Sequence, residues 1–375
     1  MHILQVVQDL GYHSTGPRVT VNGFNKALRE LGHTVQALSF DRTNHPPEAR
    51  PPGTVSVPVV QLPFFRQYAL SASAAMGKYD DYIDAADVVF IHSLYGHNFT
   101  WAASRIEARP KPCFVVPHGS VTDFCLSRGG FRKRLWFVSV RDFLEKHACM
   151  VFSAEYEQKQ ALRYVQPAHS TVLYWPATTL TDPSDSQAPQ IHEQPTLLLF
   201  GRLHPMKRTL ETIRSFRRTR VGNWRLCLAG PPSPEISVED LKRVAGSDWE
   251  DSVRYLGTLS QEELSRWYRQ AKGVVLFSKG DNFSHVVAEA LLSGCPAYVS
   301  QDVGLGDLVQ QRGCGRMFQI ENDFDMDQSL GEVMRDLGNE GNRTSSDYIK
   351  GVASAELSYS AFSKKVGNLI DGAFN

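Results

Sequence analysis

At 375 residues the chain is long enough for two to three domains of ~150 residues each, and its 42% apolar, 21% charged and 10% aromatic content is that of an ordinary globular protein. Lys+Arg and Asp+Glu are equal at 40 each, so the overall basic excess of a nucleic-acid binder is missing. No apolar run approaches the ~20 residues that span a bilayer, and the N-terminus has none of the features of a signal peptide. Cys113, Cys125, Cys149, Cys227, Cys295 and Cys314 are scattered and form no C-x-x-C pair. That spacing argues against disulfides and a zinc knuckle, and for a reducing cytoplasm.

In chain order, residues 3–7 read as a strand, 19–31 as a helix and 35–38 as a second strand. Further strands are expected at 88–91, 114–116, 150–152, 197–200, 226–228, 274–277 and 297–299. These runs are continuously apolar, as in parallel strands covered on both faces, and helical patterns separate many of them in the βαβ manner. The fold class is therefore α/β. Residues 176–195 are rich in Pro, Thr, Ser, Asp and Gln without a periodic apolar face, the composition of a linker. The expected division is an N-terminal Rossmann-like domain at 1–178, a linker at 179–195, a second Rossmann-like domain at 196–355, and a C-terminal helix at 356–375 packing back on the first lobe. Ligands of open α/β sheets bind at the carboxyl ends of the strands, so a cleft between the lobes is the expected site.

The most informative segment is 274–299. A buried strand leads into a polar loop, and a helix at about 284–293 is stopped by Gly294 and Pro296. Such a helix start at a strand's carboxyl end suits phosphate or hydroxyl groups. Asp281 lies in the loop and Glu289 eight residues later. Asp281 could accept hydrogen bonds from sugar hydroxyls and Glu289 could grip a ribose; equally, Asp281 could cap the helix and Glu289 could be a surface residue.

Asp281-Asn282-Phe283-Ser284, then Glu289-Ala290, then Gly294-Cys295-Pro296 resembles the acid-x7-acid motif of GT-B retaining glycosyltransferases of the family 4 type. That motif usually runs Glu-Gly-Phe-Gly, four residues, Glu-Ala, three residues, Gly-x-Pro. Asp281 replaces the first Glu and Ser284 the second Gly. Gly201-Arg202-Leu203-His204-Pro205-Met206-Lys207-Arg208 resembles the family's Gly-Arg-Leu-x3-Lys-Gly turn, with Arg208 at the last Gly. Residues 224–230 resemble the next strand and its glycine turn, and 253–260 the strand and loop that touch the base, with Tyr255 and Leu256 read as packing residues. Gly16 is the single match to the family's Gly-Gly loop after the first strand. The strand-end His118-Gly119 resembles a histidine that reaches the donor sugar or the reacting centre; His13, His92 and His97 lack that context and read as structural.

The resemblance implies two Rossmann-like lobes with facing parallel sheets and retaining transfer from a nucleotide-diphosphate sugar, UDP- or GDP-linked, to a glycan or lipid-linked acceptor. The implied setting is bacterial surface polysaccharide or glycoconjugate synthesis. Glu289 is implied to bind the ribose, Arg202 and Lys207 the diphosphate, and Asp281 with the Phe283 and Ser284 amides the sugar, completed by His118. Arg202 and Lys207 supply the positive charge, so neither a metal nor a resident cofactor is expected, and the leaving phosphate takes the acceptor's proton. The basic, aromatic stretch 128–137, with Arg128, Arg132, Lys133, Arg134, Trp136 and Phe137, fits either peripheral contact with the inner face of a membrane or a solvated helix start with aromatics in the core. Alternatives are a sugar-nucleotide epimerase or phosphorylase of the same fold, a two-lobed binding protein, or an inactive sugar-nucleotide-binding relative.

Overall fold

Continuous apolar runs become parallel strands in two separate sheets. A computed structural model describes residues 1–10, 15–41, 52–61, 69–127, 130–177, 194–339 and 344–372, so residues 179–193 of the expected linker at 179–195 lie outside the described residues. The chain divides into one unit of Met1–Pro176 with Tyr359–Asn375 and a second of Ala177–Ser358.

In the first unit the strands are β1 (His2–Val7), β2 (Thr34–Ser39), β3 (Thr54–Ser56), β4 (Val60–Gln61), β5 (Ala69–Leu70), β6 (Val88–His92), β7 (Cys113–Val116), β8 (Cys149–Phe152) and β9 (His169–Val172). Its helices are α1 (Thr15–Glu30), α2 (Ala72–Ala75), α3 (Asp80–Ala85), α4 (His97–Ala108), α5 (Asp123–Ser127), α6 (Gly130–Lys146) and α7 (Glu155–Ala161). Seven strands form one parallel sheet in the order β3-β2-β1-β6-β7-β8-β9, and β4 pairs with β5 in a small antiparallel ribbon. Helix α1 begins four residues before the expected start because Pro17 is tolerated in a first turn, where its missing N–H has no intrahelical partner to lose.

The second unit has α8 (Thr209–Thr219), α9 (Val238–Ala245), α10 (Gln261–Gln270), α11 (His285–Leu292), α12 (Gly306–Gln311), α13 (Asp323–Gly338) and α14 (Ser346–Leu357). Its sheet is β10 (Thr196–Phe200), β11 (Arg225–Ala229), β12 (Val253–Tyr255), β13 (Gly273–Leu276), β14 (Ala297–Ser300) and β15 (Gly315–Phe318). These six strands are parallel in the order β12-β11-β10-β13-β14-β15. Both faces are covered: Leu197 and Leu199 enter one core cluster while Leu198 and Phe200 enter the other. In the two parallel sheets the strands that the apolar pattern alone does not reveal, β3, β9, β12 and β15, are the four sheet edges. They are mostly half-buried and carry polar residues such as His169, Ser170, Arg254 and Arg316, so they lack the continuous apolar signature of covered strands.

Helix α15 (Tyr359–Asp371) belongs to the first unit and packs on α1. Phe362, fully buried, sets its ring 5.1 Å from Phe24 and 6.4 Å from Trp175. No helix among the described residues is long and apolar enough to cross a membrane. Phe362→Ala should remove this anchor at a cost of about 3–5 kcal/mol, the range for buried aromatic truncations. Hydrogen exchange of the α1 amides measures it, with protection falling in the first unit and unchanged in the second.

Candidate functional site

Strands β10 and β13 are neighbours, so the turns leaving their carboxyl ends meet. The Met206 carbonyl accepts both the Lys279 N–H at 2.8 Å and the Ser278 hydroxyl at 3.0 Å. Across this stitch the Lys207 ammonium pairs with the Asp281 carboxylate, both groups largely shielded from solvent. Two motifs 74 residues apart thus become one local structure. The Asp281 loop is held from its other side by the segment after β14. Asp281 N–H donates to Asp302 O at 2.9 Å, and Gly304 N–H donates to Asp281 O at 2.6 Å. A side chain at Gly304 would strike the Asn282 carbonyl, which leaves glycine as the residue that allows this approach.

Two of the departures from the family's glycine pattern, Arg208 and Ser284, keep glycine-like backbones. Arg208 has φ 50° and Ser284 φ 71°, the left-handed region that favours glycine. Arg208 sends its guanidinium into the buried interior, donating to the Ile320 carbonyl at 3.1 Å, and its own carbonyl accepts the Thr212 N–H that starts α8. Ser284 caps the start of α11 by backbone alone, with its carbonyl accepting from Val287 and Ala288. Its buried hydroxyl has no hydrogen-bond partner among the described residues. Phe283 is buried with its ring 5.1 Å from that of His285.

Glu289 lies on α11, and burial pushes its carboxyl up to about 7. The buried Tyr268 hydroxyl, from α10, donates to it at a long 3.5 Å. Arg202 is exposed on the turn after β10, following Gly201. Tyr255 packs against the core and donates to the Gly230 carbonyl at 2.8 Å, fixing the turn after β11. The acidic run Asp323-Phe324-Asp325-Met326-Asp327 has structural work: Asp325 completes the capping box of α13 with Asn322, and Asp327 takes a two-pronged bond from Arg218.

Gly16 and His118 lie in the first unit. Gly16 falls in the first turn of α1, while residues 11–14 of its loop are outside the described set. His118 follows β7 with φ 50° and is half-buried. Its Nε2 lies 3.1 Å from His92 Nδ1, with the rings stacked at 5.3 Å. Burial draws the His118 imidazole down to about 4, so the ring is neutral near pH 7. The next residue is clamped from behind: the Gly119 N–H donates to the buried Glu157 carboxylate, which also accepts the Ser153 N–H at 2.8 Å and hydroxyl at 2.6 Å.

Two family models match the sequence: "Glycosyl transferase 4-like domain" over residues 15–175 and "Glycosyl transferases group 1" over residues 194–336. The chain belongs to the GT4-like glycosyltransferases of the GT-B fold. It is similar to sucrose-phosphate synthase from Thermosynechococcus elongatus, at 16% identity with TM-score 0.74, covering 100% of this chain and 99% of that one. It is also similar to the lipopolysaccharide outer core galactosyltransferase WaaB, at 16% identity and TM-score 0.75 over 99% of both chains. The Anabaena protein HepE in complex with UDP aligns at 14% identity and TM-score 0.77, over 99% of this chain and 100% of that one. No curated protein matches the sequence.

Four residues of this glycosyltransferase that the motifs did not mark, Gln5, His92, Glu157 and Tyr268, support those that they did. Gln5, Glu157 and Tyr268 are polar side chains buried at 0%, 1% and 1% exposure. A polar residue inside an apolar run, such as Gln5 in β1, is the only hint available in the sequence, because partners come together only through the fold.

Two predictions follow from the second unit. Ser284→Gly removes a left-handed side chain and a buried orphan hydroxyl, and loses about 0.5–1 kcal/mol to glycine's chain entropy. The expected net is a stabilisation of roughly 1 kcal/mol, measured by urea denaturation. Glu289 has a carboxyl raised from its ordinary 4.5 to about 7, so between those values the folded protein holds the proton more tightly than the unfolded chain. Stability from this residue is full below about 4.5 and is lost as pH rises through about 7. Glu289→Gln removes that loss. The variant's Tm should match wild type at pH 4.5 and exceed it at pH 8, as read by a calorimetric pH series.

Proposed function

We propose that the protein is a retaining glycosyltransferase that moves a hexose from a nucleotide-diphosphate sugar, UDP-linked in the first instance, to a glycan or lipid-linked acceptor. The observation that carries this reading is the Lys207–Asp281 pair, which joins the basic turn after β10 to the acidic loop that opens α11. A diphosphate leaving group gathers charge as the sugar departs, and a preorganised cation beside a helix start stabilises it. Lys207 and Arg202 take that role. Asp281 and the Phe283 and Ser284 amides take the sugar, Glu289 the ribose hydroxyls, and His118 is assigned to the transferred sugar. The acceptor oxygen forms the new bond to the anomeric carbon as the bond to the phosphate oxygen breaks, and the departing phosphate receives the acceptor's proton.

Support for the donor comes from the HepE structures, which hold UDP, UDP with glucose, or UDP-glucose. Support for a surface-glycan acceptor comes from WaaB, named for the lipopolysaccharide outer core. Peripheral membrane contact is proposed for the 128–137 stretch. On α6 the Trp136 indole donates to the Leu94 carbonyl at 2.8 Å and Phe137 is buried, while Leu135 and, just beyond the stretch, Val138, both more than half exposed, are apolar residues available to face a lipid surface.

The test is a transfer assay with UDP-, GDP- and ADP-sugars, with the product anomer read by NMR. A product that keeps the donor's α configuration is expected, and Lys207→Ala should lower turnover roughly 10²-fold or more, as when one such donor is lost. A β-linked product from an α-linked donor removes the retaining assignment. Unchanged turnover in Lys207→Ala places the diphosphate elsewhere.

A further inference from the structure

The amino ends of β7, β8 and β9 lie side by side, because the three strands are parallel neighbours in the first unit's sheet. His118 and the Ser153–Glu157 clamp follow the carboxyl ends of β7 and β8, so they belong to the other end of these strands. At the amino end, residues at or just before each strand start line one cavity of about 1070 Å³, with α15 as a further wall. Lys111 comes ahead of β7, Lys146 and His147 come ahead of β8, His169 opens β9, and Lys365 enters from α15. The fold thus gathers into one place basic residues that are far apart in the chain.

The lining is one-sided in charge. Three lysines and two histidines belong to it, and no Asp or Glu does among the described residues that line it, although the whole chain carries 40 residues of each sign. Local contacts hold the lysines in place. Lys111 Nζ donates to the Asp84 and Ala86 carbonyls at 2.8 and 2.5 Å, neutral acceptors that leave its charge standing. Lys365 Nζ lies 5.2 Å from the centroid of the Tyr174 ring. Lys146 pairs with Asp142 at 2.6 Å with both side chains exposed, an i,i+4 contact of a kind that contributes little. Phe114, Val172, Leu173 and Leu369 make the cavity's apolar wall. A cleft lined by one sign of charge concentrates ions of the other, and an apolar wall rewards burial of hydrocarbon. A bare inorganic anion uses the first feature alone and a neutral hydrocarbon the second alone.

We propose that this cavity binds a small amphipathic anion from solution, an alkyl chain ending in a carboxylate or phosphate. The head lies against Lys111, Lys146 and Lys365, and the chain lies along Phe114, Leu173 and Leu369. A cavity of this volume is large enough for a whole small molecule. None of these residues has a part in the proposed transfer, so the two readings stand or fall separately.

Octanoate, far below its micelle-forming concentration, is the probe, titrated calorimetrically into the full chain beside octanol, octylammonium and inorganic phosphate. Octanoate should bind about tenfold or more tighter than octanol, through its charge-assisted contacts, and by a similar factor tighter than phosphate, through its buried chain. Octylammonium should bind more weakly than octanol. Equal affinity for octanoate and octanol, or for octanoate and phosphate, overturns the proposal. Spectra of histidine-labelled protein locate the site. Octanoate should shift the ring resonances of His147 and His169 and leave those of His92 and His118 in place; binding that moves neither His147 nor His169 sinks the assignment. Lys146→Gln combined with Lys365→Gln should weaken octanoate about tenfold or more, with octanol affinity and the Tm of the empty protein nearly unchanged. Should that variant fail to fold, Asn368→Trp, at an exposed position of α15 that lines the cavity, should block octanoate by filling the space. Undiminished octanoate binding in either folded variant refutes the site.

Discussion

The contact between Lys207 and Asp281 is what turns two stretches of sequence into one chemical arrangement. It exists because β10 and β13 are adjacent in the sheet, and adjacency in a parallel sheet brings the loops at the carboxyl ends together. The pair is more shielded than an ordinary surface ion pair of ~0.2–1 kcal/mol, and removing one partner leaves a half-buried charge uncompensated. Around it, Met206 O, Ser278, Lys279, Asp302 and Gly304 fix the backbone on both sides. In the proposed reaction an arriving phosphate would therefore meet a cation whose position is already set, and which it must share with a carboxylate.

The positive-φ residues show how the chain keeps a backbone while changing its side chains. Arg208 and Ser284 occupy places where the motifs that the sequence resembles have glycine, and both retain a glycine-like conformation. At Arg208 the strain is offset by a use for the side chain, a bond to the Ile320 carbonyl. At Ser284 no such use exists within the described residues. A conformation that is costly for serine persists there because the loop–helix junction around it is over-determined by its neighbours.

The fold was readable because covered parallel strands are unmistakably apolar. Leu197–Phe200 and Val88–Ile91 could hardly be anything else, whereas His169–Val172 and Gly315–Phe318 were hidden by being edges. The candidate site is legible in the sequence to the extent that it is local. Asp281, Glu289 and Lys207 stand in recognisable spacings, yet nothing in either spacing says that Lys207 and Asp281 form a pair. His92 reads in the sequence as a structural histidine, and in the sense of burial it is one; its bond to His118 depends on β6 and β7 lying side by side. Glu157 was invisible for the same reason, since its partner Gly119 is 38 residues away.

The two units treat charge in opposite ways, and the proposed reaction gives a reason. In the second unit the groups assigned to the leaving diphosphate are permanent cations, suited to negative charge that grows on phosphate oxygens. In the first unit the group assigned to the sugar is an imidazole that burial keeps neutral. A departing leaving group places positive character on the sugar ring, and an imidazolium beside it would oppose that change. A neutral ring can hold a hydroxyl without adding charge. His92, Gln5 and Asn25, hydrogen-bonded in a buried line behind it, back that ring with uncharged groups, where an ionised side chain would carry a large desolvation cost.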